Sequence, residues 1–177
     1  MKKFFMLATL VLTMLSSVCF AVGRNDFSLG GIYLEMPKAE VIKMYGQPTS
    51  RPGGWAQLVR DCIRYGNDVE IGFLNGVRYV VVTANNGWKT SAGVYVGMSL
   101  NDVIKIYGKN YTTENKTVKF AHHKEHLLTN LNGTAYIWSR VSENFSYNPG
   151  DTTYRISVIA NNNKVTAIVL DQLTPEY

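Results

Sequence analysis

The sequence predicts an α+β protein built as two tandem helix-plus-antiparallel-meander units that share one curved sheet with helices on one face. Three observations predict it. The stretch "GIYLEMPKAEVIKMYG" (Gly31 to Gly46) returns as "GVYVGMSLNDVIKIYG" (Gly93 to Gly108), 62 positions later and without a gap. Inside each copy Val41, Ile42 and Tyr45, and again Val103, Ile104 and Tyr107, fall at i, i+1, i+4, the spacing of one apolar helix stripe. Each copy is then followed by three runs with the two-residue alternation of strands, separated by turn residues.

The elements follow in order. Residues 1–21 read as a secretory signal peptide: Lys2 and Lys3, an uncharged apolar run from Phe4 to Leu15, then small residues up to Ala21. That run is too short for a membrane span, which needs about 20 apolar residues, and no later stretch is longer, so no transmembrane helix is expected. Cys19 raises the possibility of a lipid tether, but the bulky Val18 before it fits lipoprotein processing poorly.

The first unit covers 26–88. Pro37 suits the opening of its helix because its φ is already helical, and Gly46 ends it in the left-handed conformation glycine tolerates. Strand-like runs "WAQLVRDCIRYG", "NDVEIGFLNG" and "VRYVVVTANNG" come next, broken at Gly66-Asn67 and at Asn75-Gly76, a hairpin signal. Glu70 alternates with Val69 and Ile71, which predicts one buried and one partly open sheet face.

The second unit covers 89–177. Ser99 and Asp102 have capping-box spacing at its helix start, and Gly108 ends the helix. Its strands are "TAYIWSRVSENFSYN", "TYRISVIANNN" and "KVTAIVLDQL". Val165 stands 88 positions after Val77, against the 62 of the helices, so an insertion of 26 residues lies at about 109–134. It reads either as an extra helix from Ala121 to Leu131 or as a longer hairpin.

Composition narrows the function classes. The formal charge is +5, and +3 once Lys2 and Lys3 leave with the signal, which solubility alone explains. No basic block interleaved with aromatics points to nucleic acid. Of the two cysteines only Cys62 remains after processing, so no internal disulfide is available. Cys62 reads as a small strand residue, with a reactive or intermolecular thiol as the other reading.

The pattern "GMSLNDVIKIYG" followed by a meander ending in "NNNKVTAIVL" resembles the recurring unit of the β-lactamase inhibitory protein-like fold, shared by SmpA/OmlA-type outer-membrane lipoproteins. The likeness spans both halves and is strongest at Gly97-Met98-Ser99 with Val103 and Gly108; the first unit departs from it at Glu35-Met36-Pro37. It implies an exported bacterial protein that binds other proteins, as an inhibitor or as a helper in envelope assembly. It carries over no contact residue, since the shared motif is a folding motif.

Candidate sites are few. No nucleophile elbow, phosphate loop or paired carboxylates stand out, so no enzyme activity and no cofactor are expected. In "HHKEH", His122 and His126 share a helical face beside Glu125, a spacing that can seat a metal, but no motif places a third ligand. The bland reading is a solvated face. Tyr136, Trp138 and Arg140 share one strand face, and Arg78 and Arg155 stand out of phase with apolar neighbours. These five are the residue types of interface hot spots. The repeated glycines, methionines and tyrosines read as caps and core. The expected function is an exported protein-binding module of the periplasm, envelope or medium, acting through an open sheet face. The alternative is a small-ligand or metal-binding envelope protein that uses the His-rich insertion.

Overall fold

The computed structural model describes residues 27–52, 59–117, 126–127, 131–141 and 153–173. The signal peptide, Cys19, His122, Glu125 and most of the segment from Ala121 to Leu131 lie outside the described residues. A short ribbon of β1 (Ser28–Leu29) and β2 (Ile32–Tyr33) leads into helix α1 (Lys38–Tyr45). Strands β3 (Asp61–Tyr65), β4 (Val69–Phe73) and β5 (Val77–Val82) follow, then helix α2 (Leu100–Tyr107). After it come β6 (Thr112–Thr117), β7 (Asn132–Val141), β8 (Thr153–Asn161) and β9 (Lys164–Leu173).

Among the described residues β3 to β9 form one seven-stranded antiparallel sheet in the order β3-β4-β5-β9-β8-β7-β6. This corrects the α+β prediction of two helix-plus-meander units: the protein is mostly β, with two helices of eight residues each among the described residues. Eight residues give about two turns, roughly 12 Å of helix, too short to form a layer over strands of nine and ten residues. The halves also fuse, because β5 pairs with β9 from Tyr79 opposite Asp171 to Val82 opposite Ile168.

The sheet is buried on both faces at its centre. Val41 of α1 and Val103 and Tyr107 of α2 pack with Ile63, Ile71 and Val80 on one face. Tyr79 and Val81, of opposite parity, join a second core with Cys62, Ala135, Ile159 and Val169, together with Val59, Leu127 and Leu131. Every residue of β4 and β5 is buried, so the uncovered face expected from alternation does not exist across these strands. The insertion supplies part of the cover through Leu127 and Leu131. It also supplies the edge strand β6, which pairs with β7 from Thr112 opposite Ile137 to Thr117 opposite Asn132.

Locally, the repeat produces two matching clasps. Glu35 N donates to Val77 O (2.8 Å) and Val77 N to Met36 O (3.0 Å). In the second half Gly97 N donates to Val165 O (2.8 Å) and Val165 N to Met98 O (3.0 Å). Both helices close through a glycine, Gly46 N to Ile42 O and Gly108 N to Ile104 O, each 2.8 Å. Those glycines take φ of 78° and 82° with ψ of −165° and 179°, an extended positive-φ region that only glycine enters freely, not the left-handed helical conformation expected. Ser99 Oγ accepts from Asp102 N (3.2 Å) and donates to Asp102 Oδ2 (2.7 Å), while Pro37 caps α1 without a side-chain bond. No helix among the described residues is long and apolar enough to cross a membrane.

Candidate functional site

Of the five residues expected to contact a partner, Trp138 and Arg78 are buried. Trp138 is 2% exposed: its ring lies 5.2 Å from Tyr107 and 5.3 Å from Tyr111, and Nε1 donates to Gly108 O at 3.2 Å. It is core, because the face it shares with Tyr136 is the one the helices cover. Tyr136 is half-buried, edge-on to Tyr111 at 5.3 Å. Arg140 lies in β7 opposite Tyr154 in β8. Arg155 is held on Asp171 by two bonds, Nε to Oδ1 (2.9 Å) and Nη2 to Oδ2 (2.5 Å). Arg78, 8% exposed, sits where β4 and β5 shift register. Burial pulls its pKa below the ordinary value, and Asp171 and then Glu35 oppose that pull.

A buried polar cluster holds the insertion to the second core. Glu70, fully buried, accepts from Arg64 Nε (2.8 Å) and Nη2 (2.6 Å), Tyr79 Oη (2.7 Å) and Leu127 N (3.0 Å), and lies 3.2 Å from His126 Nδ1. Cys62 Sγ stands 3.4 Å from Tyr79 Oη. The ligand atoms of Cys62, Glu70 and His126 lie within 4.8 Å of one another, a spacing open to a metal ion. Here, however, both carboxylate oxygens are already taken and the Arg64 guanidinium supplies the positive charge, so the arrangement works as a clamp. The one described histidine of the predicted pair is thereby committed to the fold.

Burial pushes the Cys62 thiol up to about 12. In the chain lacking residues 1–21 it is expected to resist a disulfide-exchange reagent at pH 8 until denaturant is added, since the thiolate is the nucleophile. Fast native-state labelling would contradict this. Above the ordinary thiol value of 9.0 the unfolded chain loses this proton while the folded chain keeps it, so stability falls as pH rises.

A further candidate is a cleft of about 570 Å³ lined by Phe27, Ser28, Gly31, Tyr33, Leu34, Glu35 and Tyr154. Three of those residues are aromatic and one is charged. Tyr33 is 46% exposed and its repeat equivalent Tyr95 is exposed as well, so these repeated tyrosines are not the core residues expected. Phe27 and Tyr154 lie 6.2 Å apart, ring to ring. Tyr154 Oη donates to Glu35 Oε1 at 3.1 Å, across 119 positions of sequence.

Glu35 has φ of 70°, where a side chain other than glycine's is uncommon and strained. The matching position of the second copy is Gly97, with φ of 101°. The clasp demands positive φ in both copies, and only the first spends it on a side chain. The Glu35 carbonyl lies close against Gly76, where a Cβ would collide with it. Sequence reasoning passed over Glu35 and Tyr33 by assigning the repeat wholly to folding; the departure from glycine was the available signal.

Glu35→Gly relieves a conformational cost of about 1–2 kcal/mol and adds chain entropy worth about 0.5–1 kcal/mol to the unfolded state. The expected result is stability raised by roughly 0.5 kcal/mol, seen as a higher urea midpoint with unchanged slope. A loss beyond about 1 kcal/mol would make the carboxylate a structural residue.

Comparisons with protein-family models, with curated proteins and with solved structures find no match for this chain.

Proposed function

We propose that the chain is an exported protein-binding module of the bacterial periplasm, envelope or medium, and that it meets its partner at the Glu35 cleft instead of a sheet face. Export is supported by the charged, apolar and small-residue order of residues 1–21. The likeness of the repeat to β-lactamase inhibitory protein-like and SmpA/OmlA-type proteins points the same way. The observation that carries the reading is Glu35 itself, a strained residue at a position where the second copy keeps glycine, its carboxylate bonded to half-buried Tyr154 in a cleft that the exposed Tyr33 also lines. Strain of this kind collects at functional sites. Rings with few rotatable bonds limit the entropy lost on association.

A photo-crosslinking residue placed at Tyr33, and separately at its repeat equivalent Tyr95, tests the reading in the producing cell. A discrete adduct from position 33 and none from position 95 is expected. Identical adduct patterns from both, or none from either, would count against the cleft.

A further inference from the structure

We infer that the cleft receives one cationic side chain, a lysine or arginine presented by a protein partner; this rests on the cleft being the partner contact. Glu35 is the only charged residue among the described lining residues. Its Oε1 takes the Tyr154 hydroxyl, and Oε2 accepts no hydrogen bond among the described residues, so an ammonium or guanidinium has an acceptor waiting. A second carboxylate stands at the rim, where Tyr33 Oη lies 3.5 Å from Glu40 Oε2. Two neighbouring cations are engaged elsewhere. Lys38 is paired with Asp61, and Arg155 with Asp171. Arg78 is buried, lies outside the described lining and feels Asp171 more than Glu35.

The rest of the lining suits the same occupant. Rings attract a cation through their electron-rich faces, and here Phe27, Tyr33 and Tyr154 line the cleft together with Glu35. The hydrophobic stem of a lysine or arginine packs on such rings while its head reaches the acid. An acidic side chain would be repelled by Glu35, and a purely apolar one would strip water from Oε2 without supplying a donor. A chain that is basic overall thus carries a locally acidic, aromatic cleft, which gives it a choice of partner surface that net charge would not.

The test is an NMR titration of the chain lacking residues 1–21 with blocked tripeptides whose central residue is lysine, arginine, glutamine or glutamate. Saturable shifts at Tyr33, Glu35 and Tyr154 are expected from the lysine and arginine peptides, at least about tenfold tighter than from glutamine and weakened by salt. In Glu35→Gly, shown folded by the same spectra, that preference is expected to vanish. Equal binding of the glutamine peptide, or a preference retained in Glu35→Gly, would overturn cation selection and leave the cleft as a contact of another chemistry. Shifts from no peptide would overturn the inference as well, with the crosslinking at Tyr33 still deciding the broader reading.

Discussion

Replacing Glu70 with alanine is expected to destabilise the protein by about 3–5 kcal/mol, the usual cost of removing one partner from a buried ion pair. Four donors lose their acceptor together: Arg64 Nε and Nη2, Tyr79 Oη and Leu127 N, while His126 loses its neighbour. Each buried donor left without a partner costs about 1–3 kcal/mol, less whatever water enters. Against a total stability of about 5–15 kcal/mol for a domain, the variant would sit near its unfolding threshold at room temperature. Urea unfolding measures the loss. Protease sensitivity near Leu127 should rise at denaturant concentrations where the remaining core is intact, because Glu70 ties Leu127 to β4. Glu70→Gln keeps an acceptor and should lose less. A cost under about 1 kcal/mol for the alanine variant would mean that the clamp contributes little.

Trp138→Ala is the second large effect, about 3–5 kcal/mol for a buried aromatic truncated in a packed core. The cavity would open between Tyr107 and Tyr111, and Gly108 O would lose the Nε1 donor that holds the end of α2 to β7. Thermal unfolding reads the loss. Trp138→Phe preserves most of the packing and should lose clearly less. Partner binding discriminates core from contact: under conditions where the alanine variant remains folded, crosslinking through Tyr33 should be unchanged. Selective loss of binding with full stability would restore Trp138 to the surface role its residue type suggested.

Local structure was largely legible in the chain. Alternation of Val69, Ile71 and Phe73 marks β4, Asn75-Gly76 marks the turn after it, and Asn162 and Asn163, both at positive φ, make the turn between β8 and β9. The paired glycines end the two helices because the repeat needs the same backbone twice. Fold class was not legible, since a two-turn helix and a full helical layer share the same apolar spacing over eight residues. Nor was the seam between β5 and β9: Val80, Val82, Ile168 and Leu170 belong to runs apolar on both parities, which carry no information about face. Glu70 looked like the polar side of an alternating strand because its partners Tyr79 and His126 are nine and 56 positions away. Trp138 and Tyr136 were placed correctly on one face, but parity cannot say which face is covered. Glu35 is visible in the chain as a departure from the glycine of the second copy, but nothing in the sequence says what that departure serves.

The seam between β5 and β9 also constrains the order of assembly. Joining Tyr79 to Asp171 closes a loop of about 90 residues, a non-local step expected to follow the formation of the hairpins β3-β4-β5 and β8-β9. Until then β5, with the sequence VRYVVV, offers an apolar edge with free backbone groups, the kind of edge on which chains pair with their neighbours and aggregate. During synthesis and any passage across a membrane, protection of that edge by a chaperone or by rapid zipping of β9 governs how much chain reaches the native state.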